Sequence, residues 1–293
     1  MRVTGVDLGG HTVSAALVDD GVLLERIGER TAGRTPDKVL PQIARIVAAL
    51  SKGAPTPVGL GVPAMLDGAR ERIVLMPNFS GWDGLPLRRL LEDELGAPVA
   101  LENDGNCYAL GEGGAGGAAE GLRDYLLFTL GTGIGGGAVV DGRLLSGFHG
   151  MGWEPGHMAA GEEGRCGCGV IGHLEALCGA DAIERAALSL GLPPDVRALW
   201  ARRADRSVAA LWERALEPLA RAIASAVQLL DPRAVVLGGG MSRGDSFVDE
   251  IRPRVAARLA PPFQDLLDLR PALLGDDAPL LGAARIAGTR TAP

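Results

Sequence analysis

The strongest constraint in the sequence is a unit that occurs twice. Val3-Thr4-Gly5-Val6-Asp7-Leu8 is followed by Gly9-Gly10-His11-Thr12, a run from Val13 to Val18, Asp20-Gly21 and Val22-Leu23-Leu24. Tyr125-Leu126-Leu127-Phe128-Thr129-Leu130 is followed by Gly131-Thr132-Gly133-Ile134-Gly135-Gly136-Gly137, Ala138-Val139-Val140, Asp141-Gly142 and Leu144-Leu145. Each copy reads as strand, glycine turn, strand, Asp-Gly turn, strand, because the runs are apolar and β-prone and Asp-Gly is a hairpin signal. Gly131-x-Gly133-x-x-Gly136 also fits the dinucleotide fingerprint, but that motif needs a helix after the glycines and a strand follows here. The glycines therefore sit at hairpin bends, where backbone N–H groups can approach a phosphate closely. Two such meanders facing each other predict a phosphate clamp made of two glycine hairpins across one cleft.

The rest of the chain narrows the class. At 293 residues it is long enough for two domains with proper cores. A net charge of −7 and the lack of any basic block argue against a nucleic-acid partner. A hydrophobic content of 47% without a long uncharged apolar run argues against a membrane span. Asp7 interrupts the first apolar run, so no signal peptide is read there. Four cysteines point to a reducing, cytoplasmic setting, with metal or incidental roles ahead of disulfides. Lys38 and Lys52 are the two lysines and neither follows a P-loop pattern, which removes P-loop and protein-kinase chemistry.

Strands and helices alternate after the first meander, which indicates an α/β domain. A helix from Thr35-Pro36-Asp37 to about Leu50, a buried strand Pro57–Val62, a helix Pro86–Leu95 and a strand Val99–Leu101 are expected. Glu102-Asn103-Asp104-Gly105-Asn106 comes next. Asn103 or Asp104 can cap a helix Cys107–Glu112. A carboxylate at the C-terminal end of such a strand also lies where α/β ligands bind, which makes Asp104 a candidate general base. The glycine-rich stretch Gly111–Gly121 is read as the domain boundary: 1–112 forms an N-terminal lobe, joined by the last helix at about 279–290, and 113–278 a C-terminal lobe.

His157, Cys166, Cys168 and His173 supply two nitrogens and two sulfurs within a short span, a donor set suited to tetrahedral Zn²⁺. Cys178 reads as a core residue. Gly238-Gly239-Gly240 turns from a buried strand into a helix, as either a nucleotide contact or an ordinary tight turn.

Taken together, Asp7-Leu8-Gly9-Gly10, Glu102-Asn103-Asp104, Gly131 to Gly137, Glu154-x-x-His157, Cys166-x-Cys168-Gly169-x-x-Gly172 and Leu237-Gly238-Gly239-Gly240 resemble the ROK family (repressors, open reading frames and sugar kinases) of the actin-like ATPase superfamily. The resemblance covers nearly the whole chain. It implies two ribonuclease-H-like α/β lobes around a central cleft and an ATP-dependent kinase acting on a hexose hydroxyl, commonly at C6. By the same resemblance Asp104 is the base, and Asn103, Asp104, Glu154, His157 and Glu175 hold the sugar. Gly9, Gly10, Thr132 and Gly133 lie at the phosphates, Asp7 orders Mg²⁺, Gly239 and Gly240 approach the nucleoside, and zinc is structural. A homodimer or homotetramer is expected. Pro77-Asn78-x-x-Gly81-Trp82 resembles the glucokinase-like members and adds Asn78 to the sugar site; kinases for N-acetylmannosamine, N-acetylglucosamine or fructose are the alternatives.

Two positions depart from the family pattern. The first turn reads Gly10-His11-Thr12 where Gly-Thr-Lys is usual, so Thr12 is the hydroxyl left for a phosphate, and His11 motivates a non-catalytic sugar-sensing reading. His173 stands where the zinc motif usually has a third cysteine. The family's repressors carry an N-terminal helix-turn-helix, and a phosphate motif starting at Asp7 favours a kinase over a repressor.

Overall fold

The computed structural model describes residues 1–243 and 245–290. Strands β1 (Arg2–Leu8), β2 (Thr12–Asp19) and β3 (Val22–Arg30) form the first meander. Helix α1 (Pro36–Ser51), strand β4 (Val58–Val62), the β5 (Met65–Leu66)–β6 (Ile73–Leu75) pair, α2 (Leu87–Leu95), β7 (Val99–Asn103) and α3 (Asp104–Glu112) follow. Strands β8 (Tyr125–Leu130), β9 (Ile134–Val140) and β10 (Arg143–Leu144) repeat the meander. Then come α4 (Leu174–Cys178), α5 (Ala180–Ser189), α6 (Val196–Ala201), α7 (Arg206–Leu230), β11 (Ala234–Gly238), α8 (Asp245–Ala256), α9 (Pro261–Gln264), β12 (Leu269–Pro271) and α10 (Ala278–Arg290). Both Asp-Gly turns have two consecutive left-handed residues, with φ of 48° and 82° at Asp20-Gly21 and 51° and 75° at Asp141-Gly142. That pair is what a two-residue hairpin between right-twisted strands requires.

Two five-stranded sheets result, ordered β3-β2-β1-β4-β7 and β10-β9-β8-β11-β12. The chain packs as two compact units. The first comprises Met1–Leu122, Gly137–Trp153 and the segment from Leu273; the second comprises Arg123–Gly136 and Glu154–Ala272.

In the first unit the strands alternate as period two demands. Val6, Leu8, Val13, Ala15, Leu60 and Leu101 face the core shared with Ile43, Ile46 and Leu87 of α1 and α2. Val3, Ala16 and Val18 face α10 through Leu280, Ala284 and Ala287. On that second face glycine replaces side chains so that helix backbone touches sheet backbone. A Cβ at Gly59 would lie 1.8 Å from Ala283 O, and one at Gly5 would lie 2.0 Å from Leu280 O.

The expected boundary at residue 112 does not stand, because the glycine-rich stretch folds back onto the end of α3. The buried Glu112 carboxylate accepts the N–H of Ala118 at 2.7 Å, and its carbonyl accepts the N–H of Ala119 at 2.9 Å. The same carboxylate accepts the N–H groups of Leu273 and Leu274, which anchors the chain just ahead of α10. Helix α3 also begins three residues earlier than the sequence reading. Asn103 caps it by accepting the N–H of Asn106 at 3.2 Å.

In the second unit β8, β11 and β12 run parallel, with Gly238 level with Thr129. Helix α7 packs on α4, α5 and α8. Cys178 is buried, as the sequence predicts of a core position. Among the described residues no helix is long and apolar enough to cross a membrane.

Candidate active site

In the first unit the candidate groups collect where β1, β4 and β7 end. Asp7 is level with Gly61, and Gly61 with Glu102. Gly61 has no side chain, so the first turn of α3 comes close: a Cβ there would lie 3.2 Å from Cys107 Sγ and 3.5 Å from Asp104 Cα. Asp7 and Asp104 therefore feel each other as like charges. Burial first, and then the Asp104 charge, raise the Asp7 carboxyl to about 7, with Arg26 opposing and Asp276 adding. Arg26 is itself tied to Asp277 at 2.8 Å. Asp104 is partly exposed and accepts the N–H of Gly105 at 2.8 Å.

Beneath these residues lies an ion pair that the sequence reading missed. Arg70 Nε donates to Glu102 Oε2 at 2.9 Å, with both side chains largely buried. Glu102 Oε1 accepts from the Asn103 N–H at 2.9 Å and from Asn106 Nδ2 at 3.0 Å, and Arg70 also reaches the carbonyl of Gly150. The network fixes the backbone that carries Asn103 and Asp104. No local pattern announces it: Arg70 sits in an Asp-Gly-Ala-Arg turn, where it takes a left-handed φ of 54°.

The remaining candidates of this unit are spread wider. Gly9 and Gly10 form the β1–β2 turn, closed by Gly9 N–H to Thr12 O at 2.8 Å, and a Cβ at Gly10 would meet nothing within 4 Å. Thr12 Oγ1 leans back over Gly9, 3.5 Å from where its Cβ would be, while His11 is exposed. Asn78 is exposed beside buried Phe79 and Trp82, which pack edge to face. Asn103 spends its side chain on capping α3 and on Ala64 O at 3.4 Å.

In the second unit two glycine turns leave the parallel β8–β11 pair at the same end, where the N–H of Met241 binds Leu130 O at 2.9 Å. Gly239, at φ 93°, has its missing Cβ directed at Leu130 O, 2.4 Å away. Gly131 and Thr132 give their carbonyls to the first N–H groups of α5, from Ala180 at 2.9 Å and Asp181 at 3.2 Å. A Cβ at Gly240 would lie 3.6 Å from an Arg197 guanidinium nitrogen.

The same unit gathers the metal candidates. One donor atom from each of His157, Cys166, Cys168 and His173 lies within 4.8 Å of all the others. His157 Nδ1 is 3.2 Å from His173 Nδ1 and 3.7 Å from Cys166 Sγ, and Cys168 Sγ is 3.3 Å from His173 Nδ1. Zinc bonds of about 2.0–2.1 Å to nitrogen and 2.3 Å to sulfur imply tetrahedral edges of roughly 3.3–3.8 Å, so this donor set fits the ion. Burial holds His157 below the usual imidazole value, which keeps it neutral as a ligand must be. Burial also raises the Cys166 thiol to about 11. Glu154 starts the turn Pro155–His157, which abuts Ile134, and Glu175 on α4 points at the 131–136 hairpin.

Comparison with known proteins gives this geometry a family. The ROK family pattern matches residues 3–290. A glucokinase of Thermotoga maritima is 36% identical, with 98% of this chain and 97% of that protein covered. The crystal structure of a ROK hexokinase from Thermus thermophilus superposes with a TM-score of 0.85 at 36% identity, over 99% of each chain. A ROK family glucokinase from Streptomyces griseus, solved in complex with glucose and AMPPNP, gives 0.86 at 30% identity, over 99% of this chain and 100% of that one. The α/β architecture is thus that of the actin-like ATPases, and the chain belongs to the ROK family.

Proposed function

We propose that the chain is an ATP-dependent sugar kinase, with the C6 hydroxyl of glucose as its first acceptor. The glucokinase relatives support this reading over nearly their full length, and the Streptomyces griseus structure, with its glucose and AMPPNP, supports both substrates. The observation in the chain itself that carries it is the carboxylate pair at the ends of β1 and β7. Phosphoryl transfer asks a protein mainly for positioning and charge neutralisation. Asp104, partly exposed at the start of α3, would take the proton of the attacking hydroxyl. Asp7, whose ionisation the fold opposes, becomes favourable once a Mg²⁺·nucleotide supplies the missing positive charge.

The other roles follow the same reading. Gly9, Gly10, Thr132 and Gly133 would lie against the phosphates, with Thr12 as the nearest hydroxyl of the first turn. Gly239 and Gly240 line the nucleoside, and Asn78, Asn103, Glu154, His157 and Glu175 hold sugar hydroxyls. His157, Cys166, Cys168 and His173 would hold zinc, which supplies structural order and no chemistry. His157 contacts the cluster through Nδ1, so its Nε2 can carry the proton and donate to a sugar hydroxyl.

The test is Asp104→Asn. Sugar binding, followed by titration calorimetry, should stay near wild type while turnover falls about 10²–10⁴-fold, the range for a positioned base. Near-normal turnover in this variant removes Asp104 from the role.

A further inference from the structure

On the sequence reading, Gly133 leaves room for a phosphate. In the structure that room is taken by a carboxylate of the same chain. A Cβ at Gly133 would lie 2.0 Å from Glu175 Oε2 and 2.7 Å from its Cδ. Both oxygens of Glu175 are engaged. Oε2 accepts the N–H of Ile134 at 3.1 Å, and Oε1 lies 3.6 Å from Cys166 Sγ, one of the four convergent metal ligands. The Ile134 peptide is also crowded at its oxygen, because a Cβ at Gly156, next to His157, would lie 2.0 Å from Ile134 O.

The trailing end of α4 completes the frame. Gly179 packs against Thr132, its missing Cβ directed at Thr132 O from 2.9 Å. The next two N–H groups, of Ala180 and Asp181, bind the carbonyls of Gly131 and Thr132. Helix α4 is therefore a five-residue strut. His173, just before it, belongs to the metal cluster, and its other end carries the glycine hairpin.

From this geometry we infer that Glu175 is a positioning residue that couples the metal cluster to the 131–136 hairpin, so that metal loading sets nucleotide affinity. The inference rests on reading that hairpin as a nucleotide-phosphate contact. Two thiols and two imidazoles packed this closely are gathered by a cation, and removing it lets their loop relax. Glu175 sits two residues beyond His173 and moves with it. Ile134 N–H then loses its charged acceptor, and the hairpin amides lose their fixed direction. Glu175 held in this way acts on the nucleotide before any sugar is present.

The experiment compares wild type, Glu175→Ala, Glu175→Gln and metal-stripped wild type, with metal content read by elemental analysis. Two readouts are taken without sugar: amide exchange of residues 130–137, and ADP affinity by calorimetry. Glu175→Ala should keep its metal, exchange faster across 130–137 and bind ADP on the order of tenfold more weakly, the scale of one lost charge-assisted hydrogen bond. Glu175→Gln still offers an oxygen to Ile134 N–H and should stay within about threefold of wild type. Stripped wild type should behave like Glu175→Ala, with exchange in β11 unchanged as the sign that the unit remains folded. Wild-type exchange or wild-type ADP affinity in metal-loaded Glu175→Ala overturns the coupling, as does a variant that loses sugar affinity alone. If Glu175→Ala fails to fold, unchanged exchange of 130–137 in stripped wild type overturns it instead. A wild type that binds no ADP at all brings down the kinase reading, a different outcome.

Discussion

Replacing Asp7 by asparagine should make the protein more stable and less active, and the size of the gain follows from the fold. The usual value of this carboxyl is 3.8, and burial with Asp104 beside it raises it to about 7. The folded chain therefore binds this proton more tightly than the unfolded chain does. Below about pH 3.8 Asp7 is protonated in both states and opposes nothing. As pH rises from there to about 7 the unfolded chain gives up its proton first, so stability falls, and above 7 the full penalty applies. The gap corresponds to a ceiling of ~4 kcal/mol at 1.36 kcal/mol per tenfold. Asp7 is partly exposed and water screens it, so about 2 kcal/mol is the expected figure. For a chain of this size that is about 4–8 °C in Tm.

The substituted asparagine keeps the shape of the side chain and cannot ionise. Thermal unfolding without nucleotide or Mg²⁺ should thus show Asp7→Asn above wild type at pH 8, with the difference shrinking as pH falls from 7 to 5. The same variant should lose most of its Mg²⁺·ATP-dependent turnover, since on the proposed reading the charge the fold opposes is the one Mg²⁺ would use. A Tm difference that is absent at pH 8, or one that grows on acidification, refutes the argument.

Three further outcomes follow. Gly59→Ala puts a Cβ 1.8 Å from the Ala283 carbonyl, a backbone atom that cannot step aside, and should cost about 3 kcal/mol in denaturant unfolding. Arg70→Met leaves the buried Glu102 carboxylate without its ionic partner and should cost about 3–5 kcal/mol, and the double change with Glu102→Met should recover only part of that loss, because it strands Asn106 Nδ2 and the Asn103 N–H. His173→Cys should keep one metal per chain by elemental analysis, because thiolate replaces imidazole in a set whose other donors already converge. His173→Ala should lose the metal or hold it weakly.

Much of the fold was legible because it is written locally. The two Asp-Gly turns and the glycine bends before them specify hairpins through residues that are adjacent in the chain, and both meanders form as read. The convergence of His157, Cys166, Cys168 and His173 was legible for the same reason, since they lie within one short loop and helix start. Long-range reasons were not legible. Gly133 is a glycine because Glu175 fills the space beside it, and Gly5 and Gly59 are glycines because α10, from the far end of the chain, lies against them. The spacing around Asn103 and Asp104 could mean a cap or a catalytic acid; the structure gives the cap to Asn103 and leaves Asp104 at the helix start. The Arg70–Glu102 pair joins a turn to a strand end, and neither residue's neighbours mark it.

The most direct test of the kinase account is sugar-dependent ADP release from ATP, measured for glucose, N-acetylmannosamine, N-acetylglucosamine and fructose, with the product's phosphate position assigned by phosphorus NMR. The account predicts one ADP per sugar consumed, glucose as the fastest acceptor, phosphate on its C6 oxygen, and collapse of the signal in Asp104→Asn. ADP release no faster with any of the four sugars than without them, from folded protein that still binds one of them, would contradict it and leave a sugar-sensing protein in its place.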